Sequence, residues 1–179
     1  PYVNLAAQFA EERDELMPAI ERVLASGNYI DGPSVGELEA QIASRCGARH
    51  VVALNSGTDA LVLGLMALGI GAGDEVITPP NSFVASTAAI VHVGARPVFV
   101  DVLPDQNMDP DRIAAAVTPR TKAIMPVHLT GRVADMGAIG DIARRSSLFV
   151  IEDAAQAIGS TYDGRPAGSI GDIGCFSVH

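Results

Sequence analysis

From about residue 50 onward, short unbroken apolar runs alternate with segments whose apolar residues recur at helical spacing. The runs at residues 50–54, 75–78, 96–100, 123–127 and 148–152 have the continuous, Val- and Ile-bearing apolar character of strands covered on both faces. Helical patterns lie between them, at residues 57–68, 82–92, 110–117 and 135–145. This alternation predicts an α/β fold with a mainly parallel, doubly wound sheet. The preceding region reads differently. Residues 16–25 predict a helix with Pro18 near its first turn, where a missing N–H is tolerated. Residues 28–33 form a turn-rich loop, and residues 34–46 a second amphipathic helix opened by a Ser34 and Glu37 capping pair. With no internal repeat and no long linker, the expected organisation is a helical segment over residues 1–48 followed by one domain over residues 49–179.

The chain has 179 residues, 48% of them hydrophobic, enough for a substantial core. Its formal charge of −9 excludes a global basic footprint, so nucleic acid is not an expected partner. Any phosphate must be held by a local device such as backbone amides. Apolar stretches are broken well short of a membrane span, and Pro1-Tyr2-Val3-Asn4 carries no secretory signal. Cys46 and Cys175 are too far apart for a CxxC motif and too few for a disulfide scaffold, so a reducing, cytoplasmic setting is expected. Eleven of the twelve basic residues are arginine. A mechanism needing a lysine must use Lys122 or a residue outside this chain.

Four segments can carry chemistry. Asn55-Ser56-Gly57-Thr58-Asp59-Ala60-Leu61 follows a predicted strand and opens a helix. Orphan N–H groups and the positive end of the helix dipole make that turn a phosphate site, to which Ser56 and Thr58 add hydroxyls. The same Ser56 and Asp59 spacing also reads as a plain capping box. Next, the strand ending at Glu152-Asp153 delivers Asp153 to its carboxyl end, where open α/β sheets bind ligands, with Glu152 on the other face. Asp153 there suits a ribose hydroxyl, a cationic ring nitrogen or a helix cap. A metal is not expected, because no cluster with ligand spacing accompanies it. Phe83, after another strand, is a stacking platform for a flat ring or a core residue. Finally, Ser177 is an anion donor near the end of the sequence; His179 beside it could suggest nucleophilic catalysis, but the sharp nucleophile turn of a hydrolase triad is missing. His128 is expected on the same ligand side as Asp153. The glycine run at residues 69–73 follows a helix and precedes a strand, the reverse of a dinucleotide fingerprint, which excludes a dinucleotide oxidoreductase.

A phosphate cradle, a flat-ring platform and a carboxylate at successive strand mouths suit pyridoxal phosphate (PLP): a carboxylate keeps the pyridine nitrogen protonated and the ring an electron sink. At these residues the sequence resembles the DegT/DnrJ/EryC1/StrS family of PLP-dependent sugar aminotransferases. Ordered landmarks along nearly the whole chain carry the resemblance, among them the segments 27–33, 55–61, 73–78, 97–101, 126–129, 152–156 and 168–172, the last leading to Phe176-Ser177.

The resemblance implies the large domain of a fold-type-I (aspartate aminotransferase-like) PLP enzyme, with the C-terminal small domain absent. It implies that Ser56, Gly57, Thr58 and Ser177 hold phosphate, Phe83 stacks on the ring, Asp153 pairs with the pyridine nitrogen and Gln156 approaches the ring hydroxyl. The family's Schiff-base lysine would lie just past His179, and Lys122, entering a strand at its amino end, does not replace it. The implied reaction moves an amino group from an amino acid, typically glutamate, to a keto group of a nucleotide-linked sugar, in a homodimer. Two alternatives are a sugar dehydratase of the same family, with histidine at the lysine position, and a non-catalytic PLP-fold fragment. Asn81, Thr130 and Val178 stand where aromatic residues are frequent in the family, departures that bear on substrate preference.

Overall fold

The computed structural model describes residues 4–178. Along the chain come α1 (Leu5–Ser26), α2 (Pro33–Cys46), α3 (Gly57–Ala67), β1 (Glu75–Thr78), α4 (Val84–His92), β2 (Arg96–Phe99), α5 (Pro110–Ala116), β3 (Thr121–Ile124), α6 (Met136–Ser146), β4 (Phe149–Asp153), the small hairpin β5 (Thr161–Tyr162) and β6 (Arg165–Pro166), and β7 (Ile173–Cys175). Five strands form one sheet in the order β2-β1-β3-β4-β7, and every pairing in it is parallel. Parallel neighbours need crossovers: α4, α5 and α6 carry those among β1 to β4, and the segment with the β5–β6 hairpin carries the one from β4 to β7.

Side-chain alternation sorts the sheet into two cores. Val76, Ala123 and Ile151 pack with Leu61 and Leu65 of α3 and Ala89 and Ile90 of α4. Their neighbours Ile77, Ile124 and Val150 pack on the opposite face with Ile113 of α5 and Ile139 and Ile142 of α6. Both faces are covered, which is why these strands are apolar throughout. At the amino ends of the strands, Glu75 is 1% exposed and ties three strands together. It accepts from Thr118 Oγ1 at 2.5 Å and from Arg120 Nη2 at 2.8 Å, and it pairs with Arg96 of β2 at 3.5 Å. The Thr118 hydroxyl first, then Arg120, hold its carboxyl below the ordinary value.

Several sequence expectations are corrected. Residues 50–54 form no strand and pair with none among the described residues, and Val52 is 73% exposed. A strand needs a ladder partner; here the backbone is tied instead by the Ala53 N–H donating to Glu39 Oε1 of α2 at 2.8 Å. Pro18 lies inside α1 rather than in its first turn, because the helix starts at Leu5 with Asn4 as its cap. The charged stretch before Leu16 lacks an apolar stripe, yet Glu and Arg are good helix formers. In α2 the first residue is Pro33, whose φ is pre-set for that position, and the cap is Gly32, so Ser34 caps nothing. The helix expected over 82–92 begins at Val84, with Phe83 as its cap residue. The 69–73 run is a connector between α3 and β1, and Gly69 turns the chain at φ 72°. Among the described residues no helix is long and apolar enough to cross a membrane, and no group of three or more His, Cys, Asp or Glu side chains is placed to hold a metal.

Candidate active site at the strand mouths

Strand alternation gives β4 two carboxylates with opposite fates. Asp153 shares the parity of Ile151 and so faces α3 and α4, whereas Glu152 faces the other way. Asp153 is 5% exposed and accepts from Ser86 Oγ of α4 at 2.6 Å and from the Ala155 N–H at 3.3 Å. Each carboxylate oxygen keeps further acceptor capacity toward the mouth of the sheet.

The start of α3 lies on the same face. Ser56 caps this helix, its Oγ accepting from the Asp59 N–H at 3.1 Å, while the Ala60 N–H donates to the Ser56 carbonyl. Gly57 and Thr58 then contribute the orphan N–H groups every helix start carries. A Cβ at Gly57 would stand 2.9 Å from the Ser177 Cβ, so only glycine lets the segment after β7 come this close. Cys175, two residues before Ser177, is the register partner of Asp153. The helix start, Ser177 and Asp153 are therefore grouped around the carboxyl ends of β4 and β7. Phe83 is 70% exposed, which rules out a core role and leaves its ring free at the start of α4. Gln156 is exposed, and its Oε1 accepts from the Thr130 N–H at 2.7 Å. That bond commits the carbonyl end of the amide and turns the Nε2 donor away from Thr130.

His128 departs from expectation. It is fully buried on the Glu152 face, its Nε2 2.9 Å from Glu152 Oε2. The Ala134 N–H donates to Nδ1 at 3.3 Å, so the proton sits on Nε2 and the ring donates to the carboxylate. Glu152 also accepts from the N–H groups of Gly168, Ile170 and Gly171 at 2.8, 2.7 and 2.6 Å. Burial alone would raise its carboxyl; the bonds from His128, Gly171 and Gly168 outweigh burial and hold it below the ordinary value. This pair is a structural anchor, not part of the mouth. Cys175 is equally silent: burial, with Asp153 and Glu152 nearby, pushes its thiol up to about 12, and it donates to the Ala60 carbonyl at 3.3 Å. Lys122 is exposed near the amino end of β3, away from the strand mouths. His179 lies outside the described residues.

Sequence reasoning missed Ser86. The signal was present: it stands three residues after Phe83 on the side of a largely apolar helix that also carries Ala89 and Ile90, where a buried hydroxyl needs a partner. An open cleft of about 520 Å³ lined by Met66, Gly69, Ile70, His92 and Val93 lies instead where α3 and α4 end, and it offers no converging polar groups.

The site fits PLP on its own geometry. A glycine-bared helix start beside a serine suits a phosphate, an exposed aromatic suits a ring face, and a held carboxylate suits a protonated ring nitrogen. Comparison with known proteins points the same way. The Acidithiobacillus ferrooxidans protein named UDP-N-acetyl-3-dehydro-alpha-D-glucosamine 3-aminotransferase is 51% identical over 99% of this chain and 48% of its own length. A DegT/DnrJ/EryC1/StrS aminotransferase from Brucella abortus superposes with a TM-score of 0.95 at 42% identity, over 98% of this chain and 49% of that one. The PLP form of the putative sugar aminotransferase Spr1654 from Streptococcus pneumoniae superposes at 0.88 with 37% identity, over 91% and 46%. The chain thus spans about half the length of the relatives it matches. The model of the DegT/DnrJ/EryC1/StrS aminotransferase family matches residues 10–179, and the chain belongs to that family.

Proposed function

We propose that this chain is the cofactor-binding part of a PLP-dependent aminotransferase that moves an amino group from an amino acid, glutamate by preference, to a keto group on a nucleotide-linked sugar. The observation that carries the reading is the gathering of Gly57, Ser177, Asp153 and Phe83 at one end and on one face of the sheet. The names and the cofactor-bound forms of its relatives support the same chemistry.

In this reading Ser56, Gly57, Thr58 and Ser177 grip the phosphate, with the dipole of α3 behind them. Phe83 covers one ring face. Asp153, nearly dehydrated, holds a proton on the ring nitrogen, and Gln156 offers its Nε2 to the ring hydroxyl. PLP, when bound, supplies the electron sink for amino transfer. The acid–base lysine belongs outside this chain, since Lys122 sits at the wrong end of the sheet. We place the helical part at residues 1–48 and the cofactor-binding domain at 49–179. The enzyme is proposed as a cytoplasmic homodimer, a setting that two free, buried cysteines suit.

The full-length gene product should turn yellow with PLP and lose that absorbance when glutamate is added. A protein that stays colourless in excess PLP defeats the reading. Asp153→Asn should lower turnover by about 10²–10³-fold while leaving PLP retention within a few-fold, because the phosphate contacts survive. Undiminished turnover in that variant removes the role given to Asp153.

A further inference from the structure

Ser86 is fully buried, and its hydroxyl reaches three acceptors: Asp153 Oδ2 at 2.6 Å, the Phe83 carbonyl at 3.3 Å, and Ser82 Oγ in close contact. A serine has a single proton to give. That proton goes to Asp153 Oδ2, the nearer acceptor at 2.6 Å against 3.3 Å for the Phe83 carbonyl. The Ser86 oxygen is then left as an acceptor beside Ser82, whose one proton is shared between it and the Phe83 carbonyl at 2.8 Å. The bond from Ser86 to Asp153 is the directed link, with Ser82 packed against it. It joins the first turn of α4, which begins with the exposed Phe83 ring, to the end of β4.

We infer that Ser86 is a positioning residue that fixes the Asp153 carboxylate against the first turn of α4, so that the carboxylate and the Phe83 ring address one bound heterocycle from a set geometry. The inference rests on the role of Asp153 under the proposed function. That fixed position has a second effect: it keeps the carboxylate charge in line with a bound ring nitrogen. The proton shared with a ring nitrogen then stays on the nitrogen.

The test uses the full-length gene product loaded with PLP labelled with ¹⁵N in the ring. Wild type should show the nitrogen resonance of a protonated ring. Ser86→Ala should move it toward the unprotonated position and lower kcat by about tenfold, with KM for the amino donor little changed. Ser86→Thr, which keeps the hydroxyl, should restore both, and Ser82→Ala should give a smaller shift in the direction of Ser86→Ala. A wild-type resonance and kcat in Ser86→Ala overturn the inference while the proposed function stands. Equal damage in Ser86→Thr and Ser86→Ala also overturns it, since the hydroxyl would then not be the cause. If wild type binds no labelled cofactor, or binds it with an unprotonated ring, the role of Asp153 falls first and takes the inference with it.

Discussion

Glu152 and Asp153 are adjacent carboxylates on one strand, both nearly out of contact with solvent, yet they hold opposite positions in the molecule. Glu152 points into the α5 and α6 side and accepts four hydrogen bonds, one from a buried histidine and three from the backbone of the turn at residues 168–171. Its acceptor capacity is spent. Asp153 points to the α3 and α4 side and accepts from one hydroxyl and one distant N–H, with capacity left toward the mouth. A saturated carboxylate stabilises the fold; an unsaturated one at a strand mouth is available to a ligand. Charge and burial do not distinguish the two. Hydrogen-bond saturation does.

The contrast breaks most visibly at the anchor. Glu152→Ala should cost about 3–5 kcal/mol, because it strands buried donors from His128 and three N–H groups. Chemical denaturation of the protein should show this as a lowered midpoint, whereas Asp153→Asn should move the midpoint far less. The Glu152 carboxyl is held below its ordinary value, so its contribution is full above the unfolded-state value and is lost as pH falls through the depressed one. Wild-type stability should therefore drop on acidification below about pH 4.5, the ordinary glutamate value. The Glu152→Ala variant should show a shallower acid limb.

Gly57→Ala probes the ligand side. Its Cβ would press on Ser177 at 2.9 Å, an overpacking that costs about 1–3 kcal/mol and pushes apart the two segments proposed to grip phosphate. Equilibrium dialysis with PLP should show affinity falling by at least about tenfold. Unchanged affinity would separate Gly57 from the site. The smallest effect belongs to Ser56→Ala, which removes a helix cap worth about 1 kcal/mol, measurable as a small drop in Tm.

Much of this comparison was legible before any coordinates. Alternation along the 148–152 run put Glu152 and Asp153 on opposite faces, and the small residues after 54 marked a helix start with anion character. His128 was misread because its position after a strand is known from sequence, while the face it turns to depends on how residues 125–128 continue beyond β3. Residues 50–54 were misread for a related reason. Apolar alternation measures readiness to pair, and pairing requires a neighbour that local sequence does not name.

The sequence by itself determined the parallel α/β character, the strand mouths and the identity of the chemical groups there, because periodicity and turn composition are properties of nearest neighbours along the chain. Only the tertiary structure decided which carboxylate is spent and which is available. That depends on donors up to sixty-seven residues away, as with Ser86 and Asp153, and contacts of such range are fixed by packing, not by local pattern.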